Sequence, residues 1–125
     1  MPIGFDEIQV DKTPAASIVT LRIKEKLDKK DYEAFVPMIE SQIQAGPPVR
    51  LLVELHEFAG WTAGALWEDT KFAARHFSDI DRLAVVGESR WQQGMTVFFK
   101  PFTAADVRYY DMQEIESARR WIRET

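Results

Sequence analysis

His56-Glu57, directly after the apolar run Leu51-Leu52-Val53-Glu54-Leu55, is the pair of side chains in this 125-residue chain best placed for acid–base chemistry. The run reads as a central strand, and open α/β sheets hold their ligands at the carboxyl ends of such strands. An imidazole there is a candidate general base, but a base needs a group to orient it, and the sequence identifies none for His56. The other histidine, His76, falls on the outer side of its expected helix, so no metal-ligand set is legible. Gly87-Glu88-Ser89-Arg90-Trp91 lies between a strand and a helix, as a nucleophile elbow does. It lacks the second glycine and no Asp…His order follows, so Ser89 reads as a helix cap. Gly60 and Gly64 flank Trp61 without forming a nucleotide fingerprint. The expectation is therefore no catalytic residue, no metal and no cofactor, with His56 and Glu57 as the polar edge of a pocket. The acidic pairs Glu68-Asp69 and Asp79/Asp81 read as solvated faces.

A different chemistry is written into Trp91-Gln92-Gln93-Gly94-Met95-Thr96-Val97-Phe98-Phe99-Lys100-Pro101-Phe102. As a short helix this segment sets Trp91, Met95, Phe98 and Phe102 along one side, while Val97 and Phe99 point elsewhere. One face cannot bury them all. The surplus predicts a surface for an apolar or lipid-like small molecule, or for peripheral contact with a membrane. Trp61 and Phe72, at the start and on the outer side of the preceding helix, are expected to form the opposing wall, and Gly94 allows close approach. The same spacing also suits a helix that covers a sheet or packs on a second copy of the chain as a homodimer. Arg90 and Lys100 offer headgroups only weak attraction.

Several elements are needed to position these residues. Phe5 to Val10 and Ala15 to Ile23 read as strands joined by the turn-forming Asp11-Lys12-Thr13-Pro14, a hairpin. Asp28 can cap a helix with Tyr32, Phe35, Val36, Ile39 and Ile43 at helical spacing; Pro37 is expected to kink it and Gly46-Pro47-Pro48 to stop it. Val49 to Leu55 is nearly continuous in apolar character, as a strand buried on both faces should be. A helix over 63–77 follows, with Phe72 on its polar side. Then come a strand over 82–86, the segment over 91–100, a strand over 106–110, and a helix carrying Ile115, Ala118, Trp121 and Ile122, begun by the capping pair Asp111 and Glu114. The order ββαβαβαβα implies a largely parallel sheet with one antiparallel strand at its start.

The length suits one domain, here residues 1–125, and 46% apolar residues with four Trp and eight Phe can fill its core. The absence of cysteine removes thiol catalysis, zinc ribbons and disulfide scaffolds. A net charge of -4, with both signs spread along the chain, offers no basic stripe for nucleic acid. No signal peptide and no run of about 20 apolar residues is seen, which predicts a cytoplasmic protein.

In order and spacing these elements resemble the SpoIIAA-like branch of the STAS superfamily, which is also compared with CRAL-TRIO (Sec14-type) lipid-binding domains. The residues that carry the likeness are Leu51 to Leu55 followed by Phe58-Ala59-Gly60-Trp61-Thr62, and Arg82-Leu83-Ala84-Val85-Val86-Gly87-Glu88 with Trp91 after it. Pro101-Phe102, Val107-Arg108-Tyr109-Tyr110 and Ala118-Arg119-Arg120-Trp121-Ile122 complete it. The resemblance covers nearly the whole chain. It implies an α/β sandwich with a mixed, mostly parallel five-stranded sheet and about four helices, in a bacterial regulatory domain that is not an enzyme. It also implies a lipid-like ligand and membrane association through the third helix, here 91–102. The founding members antagonise anti-sigma factors and are switched at a phosphorylated Ser in an Asp-Ser-Ser-Gly turn. Gly60-Trp61-Thr62-Ala63 stands there in this chain, so Thr62 is the one hydroxyl left for a regulatory protein partner or a phosphate, and it is equally suited to a plain helix cap.

Overall fold

The computed structural model describes residues 5–46, 48–61, 64, 68, 71–72, 79–87 and 106–124. Its frame is a five-stranded sheet in the order β1-β2-β3-β4-β5, with β1 (Phe5–Lys12), β2 (Ser17–Leu27), β3 (Val49–Trp61), β4 (Ile80–Gly87) and β5 (Asp106–Asp111). The β1–β2 pair is antiparallel and the other three pairs are parallel, as the alternation of apolar runs with helical segments predicts. The hairpin is closed by Thr13, whose hydroxyl accepts from the amides of Ala15 and Ala16 while its own amide donates to Ala16 O at 2.9 Å.

Helix α1 (Lys29–Gln44) begins at a capping box in which Asp28 accepts from the Lys29 amide at 2.8 Å and Asp31 accepts from the Asp28 amide at 2.7 Å. It runs unbroken through Pro37 and ends before Gly46, whose φ of 109° lies in the left-handed region that glycine tolerates. Tyr32, Phe35 and Ile39 bury its inner side against Val19, Leu21 and Ile23 of β2, Leu51 and Leu55 of β3, and Val85 of β4. Gly64, Glu68, Lys71 and Phe72 are helical, inside the helix expected over 63–77. Phe72 is half-buried and packs against this same core, which corrects its expected place on the polar side. An aromatic ring gains more by covering apolar strand residues than by facing water.

The other face of the sheet is closed by α2 (Ile115–Arg123), entered through a 3-10 turn over Met112–Glu114 with the expected capping pair: Asp111 accepts from Gln113 N and Glu114 accepts from Asp111 N. Ala118, Trp121 and Ile122 pack on Ile18, Leu52, Ala84 and Val86, so β2, β3 and β4 carry apolar residues on both sides. The C-terminal carbonyls of α2 are held by two arginines of the sheet. Arg50 donates to Ile122 O at 3.0 Å and to Glu124 O, and Arg82 donates to Trp121 O at 2.7 Å. Arg50 is also paired with Asp81 at 3.0 Å. The guanidinium carbons of Arg82 and Arg108 lie 5.2 and 4.6 Å from the Trp121 ring centre. Cations at a helix C-terminus meet its negative dipole end, so the arginines fix both the position and the direction of α2.

The strand ends that differ most from the sequence reading are those of β2 and β3, the other differences being of one or two residues. β2 extends to Leu27 and β3 to Trp61, because beyond Lys24↔His56 a bulge realigns the two strands and they pair again at Lys26↔Gly60 and Leu27↔Trp61. His56-Glu57 is therefore inside a strand and does not follow one.

Replacing Arg50 with Met should lower stability by about 3 kcal/mol, since it strands buried carbonyls and the Asp81 partner. Asp28→Ala should cost about 1 kcal/mol for the lost cap. Urea midpoints at unchanged m-value check both.

Candidate functional site

Alternation along β3 sends Arg50, Leu52, Glu54 and His56 to the α2 face and Leu51, Val53 and Leu55 to the α1 face. Glu54 consequently lies under α2 with its side chain only 2% exposed. A buried carboxylate demands donors, and three converge on it. His56 Nε2 is 3.1 Å from Oε1, Arg22 Nε is 3.6 Å from the same oxygen, and Arg119 of α2 is 3.4 Å from Oε2. The parallel register sets Arg22 directly beside Glu54. His56 thus has the orienting partner that the sequence did not reveal: two residues apart on one strand is the same-face spacing.

Helix α2 is nine residues long and rests on β3, β4 and β5. Beside it a cleft of about 120 Å³ opens over β1 and β2. Gln9 and Asp11 of β1, Thr20 and Arg22 of β2, Glu54 of β3, and Arg119 and Arg123 of α2 form its polar walls, with Ile18, Leu52 and Ile122 between them. One rim is tied by Arg123 to Asp11 at 2.6 Å. Arg119 also reaches Glu116 at 2.6 Å.

The sequence-predicted site residues divide. His56 joins the Glu54 cluster, and Phe72 belongs to the α1 core. Trp61 ends β3, paired with Leu27, and Glu57 is within β3; their side chains lie outside the described ones. Thr62, Trp91, Met95, Phe98, Phe99 and Phe102 lie outside the described residues, as do His76 and Ser89. Among the described residues no cluster of three or more His, Cys, Asp or Glu is placed to hold a metal ion.

With this architecture in hand, the SpoIIAA-like family model matches residues 18–123, from β2 through α2. The chain belongs to the SpoIIAA-like family. A solved structure from Shewanella loihica PV-4, an uncharacterized protein of the DUF3478 family with a SpoIIAA-like fold, is similar to it at a TM-score of 0.78. That likeness covers 95% of this chain and 94% of the other, at 24% identity, and bears on the fold. No curated protein matches the chain. STAS-like domains, the class to which the SpoIIAA-like fold belongs, are generally non-enzymatic. Among the described residues of this SpoIIAA-like chain, no helix is long and apolar enough to cross a membrane.

Glu54→Gln should destabilise the fold by about 2 kcal/mol, because it leaves two guanidiniums facing each other without their shared anion. His56→Ala should cost about 1 kcal/mol, since the arginines still satisfy the carboxylate. Denaturant titration of the two variants beside the parent chain separates these values.

Proposed function

We infer that this SpoIIAA-like chain acts by binding, without catalysing a reaction. Its ligand is a small apolar or lipid-like molecule taken at the carboxyl edge of the sheet, with peripheral contact to a membrane through residues 91–102. The observation that supports this is a step in that edge. Among the described residues, β3 and β4 pair as far as Glu54↔Val86 and β4 ends at Gly87, while β3 runs on to Trp61 paired with β2. The segment with Trp91, Met95, Phe98, Phe99 and Phe102 follows β4 in sequence. Phe72 stands half-buried at the margin of the α1 core.

A second reading keeps to Thr62. It stands between Trp61, the last residue of β3, and the helical Gly64, the strand-to-helix position where the resemblance implies a phosphorylated hydroxyl and a regulatory protein partner.

Native mass spectrometry with lipid extraction, followed by liposome flotation, should find co-purified lipid and vesicle binding. Phe98→Ser should reduce flotation roughly tenfold or more, the scale of one large apolar side chain. A chain that carries no lipid and ignores vesicles counts against the reading. Recovery from extract of a protein partner that Thr62→Glu abolishes would move the function to the second.

A further inference from the structure

We propose that His56 is a phosphoryl acceptor: its Nδ1 takes a phosphoryl group from a phosphoramidate donor while Glu54 holds Nε2. This site is separate from the apolar edge described above and does not depend on it.

An ionised carboxylate only accepts hydrogen bonds, so the 3.1 Å contact between His56 Nε2 and Glu54 Oε1 puts the proton on Nε2. In the neutral ring the lone pair then sits on Nδ1. Among the described residues no hydrogen bond reaches that nitrogen. The two ends of the pair differ in access: the Glu54 side chain is 2% exposed and that of His56 33%. A buried carboxylate with an imidazole turned outward from it fixes tautomer and orientation together, the arrangement that prepares a histidine to act as a covalent nucleophile.

The sheet supplies the room. His56 is the last residue of β3 in register with β2 before the bulge that separates Lys24↔His56 from Lys26↔Gly60. Such bulges interrupt the ladder and re-aim the side chains beside them. Lys24, directly opposite His56, projects from the same face about 4.8 Å across the sheet and is exposed, so its ammonium can reach oxygens carried on Nδ1. Arg22 and Arg119 have no part in holding the phosphoryl group, because both are engaged among carboxylates. Each contacts Glu54, Glu7 stands opposite Arg22 in the β1–β2 register, and Glu116 meets Arg119.

The donor class follows from the bond that is made. A phosphorylated imidazole holds an energy-rich N–P bond, and a donor that gives up an N–P bond of its own transfers the group with little net change in free energy. Nδ1 attacks phosphorus, the donor's P–N bond breaks, and the donor nitrogen, already protonated, leaves with the electron pair as a neutral amine. The ring becomes an imidazolium whose Nε2 proton stays hydrogen-bonded to Glu54. Positive charge grows on the ring as the new bond forms, so the carboxylate stabilises the transition state more than the starting pair.

The test is incubation of the whole chain with potassium phosphoramidate near neutral pH, followed by NMR of phosphorus and of the imidazole nitrogens. A phosphoryl group should appear on Nδ1 of His56, forming roughly tenfold or more faster than on the same residue in the urea-unfolded chain. Glu54→Gln should slow it on the order of tenfold or more, and Lys24→Gln severalfold. Glu54→Gln also weakens the fold; if that variant unfolds, the folded-to-unfolded rate ratio of the parent chain decides alone. An adduct on Nε2, a His56 no faster in the folded chain than in the unfolded one, or a folded Glu54→Gln variant that reacts as fast as the parent would overturn the proposal.

Discussion

A sheet whose three inner strands carry apolar residues on both faces has to be covered twice, and among the described residues the second cover is a nine-residue helix. Such a helix is about 14 Å long, less than the width of five strands spaced about 4.8 Å apart. Its placement is not left to apolar contact, which is non-directional. Arg50 and Arg82 hold its terminal carbonyls, Arg119 reaches Glu54, and Arg123 reaches Asp11, so polar ties at its C-terminal end and along one side choose where it rests. Seating it over β3 to β5 leaves the first two strands partly open on that face, and the cleft follows from this choice.

The two faces of the molecule thereby take on different chemistry. On the α1 side Val19, Leu21, Ile23, Leu51, Leu55 and Val85 build a continuous apolar layer, with no buried ion pair among them. On the α2 side the same strands present Thr20, Arg22, Arg50 and Glu54 next to Ile18 and Leu52. A single strand serves both because neighbouring residues point to opposite sides. The match to the SpoIIAA-like family spans the strands that both faces share.

Much of the frame could be read from pattern alone. The five strands, the antiparallel start, the Asp28 cap and the Asp111–Glu114 cap follow from local spacing and side-chain type, and local rules hold where they are reinforced by burial. The ends of β2 and β3 were less legible, because the bulge that carries pairing on to Trp61 depends on two strands meeting across the sheet. The polar cluster was missed for a related reason. Glu54 reads as an interruption in an apolar run until Arg22 and Arg119, distant in sequence, are brought to it. Its one local signal was the two-residue step from Glu54 to His56. Phe72 was misplaced because helical periodicity assigns a side without saying how wide the buried stripe is.

The anchors of α2 also have a bearing on synthesis. Its arginine partners Arg50 and Arg82 are made well before the carbonyls of Trp121, Ile122 and Glu124 that they will hold. During translation the α1 side can close while Ile18, Leu52, Ala84 and Val86 still face water, and they stay wet until residues 115–124 have left the ribosome. A nascent chain of this protein thus passes through a stage with one finished side and one sticky side, the stage at which a holding chaperone has most to grip.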